Sequence, residues 1–126
     1  MSSGPPPDRR FPRSVYGVGE DPDPRFSLAN ERTFLAWIRT SLALIAGGVA
    51  LEVFDVPMHP TLRLATALVL IIAGIGSPFQ AWLGWIRAER AMRLGRPLPP
   101  PRLAGPIAVA VVIAGVLVVV GLLLWR

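Results

Sequence analysis

Residues 28–54 read LANERTFLAWIRTSLALIAGGVALEVF, and this stretch decides what kind of molecule the chain can be. From about residue 33 to residue 54 only Arg39 and Glu52 carry charge. A helix over that range is long enough to cross roughly 30 Å of hydrocarbon at about 1.5 Å per residue. A soluble helix would alternate apolar and polar faces instead of staying apolar on all sides. Two further runs of the same kind follow, over about residues 62–86 and 103–125. The expected fold class is therefore an all-α membrane protein with three transmembrane helices.

The connecting segments set the expected orientation. Between the second and third runs lie Arg87, Arg90, Arg93, Arg96 and Arg102 against one acid, Glu89, whereas the first connection has only Arg63 against Glu52 and Asp55. Short arginine-rich loops stay in the cytoplasm. Arg9, Arg10, Arg13, Arg25 and Arg32 argue for the same side at the N-terminus, which leaves the C-terminus outside. Trp82, Trp85 and Trp125 fall where amphipathic rings meet the headgroups. With no basic, briefly apolar and cleavable leader, the first span is expected to stay as an anchor of a multi-pass membrane protein.

Residues 1–24 hold six of the fourteen prolines and are expected to form a disordered cytoplasmic tail. Residues 25–126 then make one transmembrane domain. Ser27 is read as the cap of the first helix, with the helix starting near Leu28. Within the second run, Pro78 removes the usual donor to the Gly74 carbonyl, so a kink exposing a polar patch near Gln80 is expected. Arg87, Arg90 and Arg93 would form a solvated basic face if the helix persists.

Function classes narrow quickly. Net charge is +5 and all 13 basic residues are arginine, yet they flank apolar spans and no nucleic-acid motif is present. The absence of cysteine removes thiolate metal sites and cysteine catalysis. His59, the sole histidine, has no nucleophile or ligand cluster beside it in sequence. No catalytic residue, metal or cofactor is expected, and the chain is not read as an enzyme.

Two patterns single out the first span. Small residues recur at Ala29, Thr33, Ala36, Thr40, Ala43, Gly47 and Ala50, alternating intervals of four and three. Lipid is as apolar as leucine, so membrane helices associate through such small faces. The seam could serve packing within the chain or between subunits. Arg25, Arg32 and Arg39 are spaced by seven, with Arg32 and Arg39 about 40° around the helix from Ala36 and Ala43. Arg39 falls inside the apolar region, where an arginine snorkels, pairs, or faces a polar interior.

Residues 28–40, and Asn30-Glu31-Arg32-Thr33-Phe34-Leu35-Ala36-Trp37 above all, closely resemble the signature of domain-of-unknown-function family 202, the YidH-like bacterial membrane proteins. The resemblance is strongest over residues 25–51. The same domain resembles the membrane part of eukaryotic vacuolar transporter chaperone complexes, which make and translocate polyphosphate. By that resemblance Arg25, Glu31 and Arg32 match charges at a pore entrance, with Glu31 paired to arginine, while Arg39 fits the bacterial pattern. No cytosolic polymerase or phosphate-sensing domain is expected within these 126 residues. Together these readings predict a self-associating module in the lipid bilayer that binds or conducts phosphate or polyphosphate through Arg25, Arg32 and Arg39. The alternative is a non-conducting scaffold or regulatory subunit for another membrane protein.

Overall fold

The computed structural model describes residues 8–100, 102 and 104–126. The chain forms a short helix α1 (Arg13–Tyr16) and three long ones, α2 (Pro24–Val53), α3 (Pro60–Arg93) and α4 (Ala104–Trp125). All three long helices have the length and composition to cross a membrane.

Each start and stop has a local cause. The Asp23 carboxylate accepts the Arg25 amide at 2.9 Å, and Pro24 occupies the first turn, where its missing donor costs nothing. The cap is thus Asp23 rather than Ser27, and α2 begins four residues earlier than Leu28. After Val53 the chain turns through Asp55, at φ 48°, and Pro60 occupies the first turn of α3, without a side-chain cap from His59. The C-terminus of α3 is closed by Gly95 at φ 65°, with Gly95 N–H donating to the Met92 carbonyl and Arg96 N–H to that of Ala91. This paired bonding satisfies carbonyls that the last turn would otherwise leave open.

At about 1.5 Å per residue α2 is roughly 45 Å long, α3 roughly 51 Å and α4 roughly 33 Å. The hydrocarbon layer needs only about 30 Å, so α3 overshoots it by some 20 Å. The second helix therefore does not end near Ile86: it continues to Arg93 and provides a platform for the N-terminal segment.

α2 and α3 pack as an antiparallel hairpin through small residues, with Ser41, Leu44 and Gly48 buried on α2 and Ala67, Gly74, Ser77 and Ala81 on α3. A methyl at Gly74 would lie 2.8 Å from the Ser41 carbonyl oxygen, so the backbones meet there at close range. Pro78 does not break α3, which runs on through it to Arg93. The Gly74 carbonyl it leaves open accepts the Ser41 hydroxyl at 3.0 Å, and this bond across the hairpin is buried. Gln80 is exposed.

α4 packs against α3 and makes no comparable contact with α2. Its fixed point is near the α2–α3 turn, where Gly121 lies against Met58 and Leu62 and its carbonyl accepts the His59 amide at 2.9 Å. Elsewhere the long helices present Leu35, Val49, Ile72, Phe79, Val112 and Leu123 outward. Apolar surface on that scale belongs in lipid.

Residues 8–23, expected to be disordered, instead fold back onto the end of α3. Val15 is fully buried, and Glu20 N–H donates to the Arg93 carbonyl at 3.1 Å. Gly19, at φ +58°, has no room for a side chain beside that carbonyl. The prolines shape this segment without preventing it from docking. Residues 1–7 of the expected tail lie outside the described residues.

Candidate functional site

The chemistry gathers where the start of α2, the end of α3 and the N-terminal segment meet. The Glu89 carboxylate on α3 is 3% exposed and tied to α2 at two points. It accepts the Ser27 hydroxyl at 3.1 Å and the Asn30 amide at 3.1 Å, and Asn30 also donates to the Trp85 carbonyl. The first residue of the Asn30-Glu31-Arg32 run is therefore a structural tie. Beside it Trp82 and Trp85 stack at 5.1 Å between ring centres, and Phe34 meets Trp82 edge-on at 6.2 Å.

One turn further along α3, Arg93 forms a clamp. Its side chain is 5% exposed; it donates to the Val18 carbonyl at 2.8 Å and to the Asp21 carboxylate at 2.5 Å. Arg90 donates to the Ser14 carbonyl at 2.6 Å. Arg10 bonds Asp8 and Asp21 and sits over the Tyr16 ring at 4.4 Å. Hydrogen bonds from Arg10, then from Arg93, hold the Asp21 carboxyl below its ordinary range, and Arg10 lowers Asp8 to about 2. The expected solvated basic face is corrected here: Arg93 is buried and committed, and Arg87 turns into a cleft beside α2.

The residues singled out by sequence fall on a different face. At 100° per residue the small-residue seam lies about a quarter turn from the stripe through Asn30, Ser41, Leu44 and Gly48 that contacts α3. Ala29, Thr33, Ala36 and Ala43 are exposed, and Thr40, Gly47 and Ala50 are partly covered. Thr33 and Thr40 donate to the Ala29 and Ala36 carbonyls of their own helix, which keeps the seam free of unpaired hydroxyls. Arg32 and Arg39 flank the seam on the side away from α3, both exposed. Arg25 is paired to Asp23 at 2.9 Å. Glu31 is exposed and makes no ion pair with any described residue, so the arginine partner expected for it is not found among them.

At the other end of the hairpin Arg63 lies 3.5 Å from both Glu52 and Asp55, beside His59. Among the described residues no group of three acidic or histidine side chains is arranged to hold a metal.

Three apolar helices with a polar, arginine-bearing end define a small multi-pass membrane protein. Residues 25–91 match the family described as domain of unknown function (DUF202), and the chain belongs to it. It is 43% identical to the inner membrane protein YidH of Escherichia coli over 112 residues, covering 88% of this chain and 96% of that protein. YidH of Shigella flexneri matches equally. An uncharacterized protein of Mycobacterium tuberculosis is 44% identical over 97 residues, 76% of this chain and 80% of its own length. No solved structure matches. The chain is accordingly a multi-pass protein of the bacterial inner membrane.

Sequence reasoning missed Glu89, Asn30 and Arg93 as working residues. The signal lay in spacing: Trp82, Trp85, Glu89 and Arg93 share one stripe of α3, so the lone acid of the arginine-rich stretch faces inward once the helix is carried to Arg93.

Proposed function

We propose that the chain assembles with copies of itself through the small-residue face of α2. The resulting module binds or conducts anions, phosphate or polyphosphate, at a cytoplasmic mouth formed by Arg25, Arg32 and Arg39. The observation that carries this reading is the open part of the seam, Ala29, Thr33, Ala36 and Ala43. α2 uses a separate face for α3, and α4 does not reach α2, so the chain's own helices leave Ala29, Ala36 and Ala43 open. Close-packing faces in lipid find partners through van der Waals contact. A symmetric arrangement through this face brings Arg32 and Arg39 of neighbouring copies near one axis, and Glu31 within reach of a neighbour's arginine. Clustered guanidinium groups bind phosphate oxygens by charge-assisted hydrogen bonds. The weight of arginine at this end supports its placement in the cytoplasm.

The native chain has no cysteine, so single-cysteine variants report the face directly. Ala36→Cys is expected to cross-link between copies in lipid, while Val49→Cys, on another exposed face, is not. In liposomes Arg32→Ala is expected to abolish anion flux. A monomer in lipid, or cross-linking at Val49 but not Ala36, refutes the assembly. Cross-linking at Ala36 without flux in the unmodified protein leaves the scaffold and refutes the conduit.

A further inference from the structure

A cleft of about 320 Å³ opens between the first half of α2, the last turns of α3 and the segment leading to α4. This lies at the lower bound of small-ligand cavities, roughly 300–1,000 Å³. Its walls are apolar: Phe26, Phe34 and Trp37 from α2, Trp85 and Met92 from α3, and Leu98 beyond. Its charged lining is Arg87 and Arg102, neither of which forms an ion pair with a described carboxylate. Asn30 also lines it, but its amide is already held by Glu89 and the Trp85 carbonyl.

Shape and charge together choose the occupant. From Phe26 to Trp37 the lining runs eleven residues along α2, about 16 Å, which is far longer than a free phosphate ion. The two arginines stand at the polar end of the helices, and Phe34 and Trp37 lie towards the apolar middle. α4 does not close the α2 side, so the cleft opens sideways, the direction in which apolar helices of this kind face lipid. An anionic headgroup with an attached acyl chain matches this order of charge above and hydrocarbon below.

We propose that the cleft is a binding site for one anionic phospholipid of the surrounding leaflet, its phosphate taken by Arg87 and Arg102 and its chain lying along Phe34 and Trp37. Self-association is not required for it. Ala29 and Thr33 of the seam also line the cleft, however, so a second copy of the chain is the rival occupant.

The test uses the full-length protein in phosphatidylcholine nanodiscs doped, at equal mole fraction, with brominated phosphatidylglycerol or brominated phosphatidylcholine, and reads tryptophan quenching. Brominated phosphatidylglycerol is expected to quench more strongly, with a selectivity that falls about fivefold for each arginine removed in Arg87→Gln and Arg102→Gln. Gly84 lines the cleft and has open space beyond its Cα, so Gly84→Leu is expected to fill the site without disturbing the hairpin and to remove the selective quenching. Equal quenching by the two lipids overturns the proposal, as does selectivity that survives both arginine substitutions or Gly84→Leu. Loss of selectivity on adding millimolar inorganic phosphate makes this a free-anion site instead. Protection from both brominated lipids in an oligomer gives the cleft to a second copy.

Discussion

The tightest point of the hairpin offers a sharp test of how α2 and α3 hold together. An alanine Cβ at position 74 would sit 2.8 Å from the Ser41 carbonyl oxygen and 3.1 Å from the Ile45 amide nitrogen, both backbone atoms that cannot rotate away. Reaching ordinary contact requires the helices to part by about 0.6 Å, and a gap of that size forfeits roughly a quarter of each nearby dispersion well. The same separation stretches the buried Ser41–Gly74 hydrogen bond, a class of contact worth about 0.6 kcal/mol in membrane proteins. Overpacking of this kind costs about 1–3 kcal/mol, so a total near 2–3 kcal/mol is expected for Gly74→Ala. Gly76, half a turn away, has open space where a side chain would begin, with nothing within 4 Å of a Cβ placed there. Gly76→Ala is therefore expected to be neutral or stabilising by up to about 1 kcal/mol. Reversible unfolding in mixed detergent and SDS micelles, followed by helix content, measures both. If Gly74→Ala is as stable as Gly76→Ala to within about 0.5 kcal/mol, the close backbone approach is not what joins the hairpin.

Glu89→Leu removes the acceptor of Ser27 and one of the two acceptors of Asn30 and is expected to cost about 1–3 kcal/mol, while Glu89→Gln retains one acceptor and costs less; the melting temperature in detergent ranks the two. Docking of residues 8–23 is expected to weaken in acid. The Asp21 carboxyl titrates below its ordinary value when paired with Arg10 and Arg93, so its contribution is complete above the ordinary carboxylate range, near pH 4, and is lost as pH falls through the lowered value. Hydrogen exchange at the Glu20 amide reads the release, and Asp21→Asn should produce it at neutral pH; protection unchanged by either perturbation would refute the clamp.

What could be read from sequence follows the range of the interactions. Three spans were legible because an apolar run is a local property. The start of α2 was misjudged because two local signals competed. Ser27 is a good cap by type, but its hydroxyl is drawn to Glu89 on another helix, and Asp23-Pro24 makes the stronger start. The open carbonyl at Gly74 follows from Pro78 alone. Its partner Ser41 is 33 residues distant and is chosen only when the hairpin closes. The N-terminal segment was hardest: Arg93 meets Asp21 across 72 residues, and proline content says nothing about a contact of that reach. Of the candidate site, the seam and the arginine stripe were legible as patterns on one helix. That part of the seam stays open depends on where α3 and α4 sit.

The way α4 attaches carries a consequence for how the molecule is built. Its contacts run to α3 alone among the helices, and its backbone tie is at the far turn, through His59 and Gly121. The hairpin of α2 and α3 leaves the His59 amide to be satisfied by the Gly121 carbonyl of α4, and the family match, residues 25–91, ends within α3. In the order of synthesis α4 is thus the last helix to arrive, and it brings an acceptor that the turn of the hairpin lacks. Away from that tie it presents Val109, Val112, Val116 and Leu123 outward, as a helix whose remaining surface meets lipid.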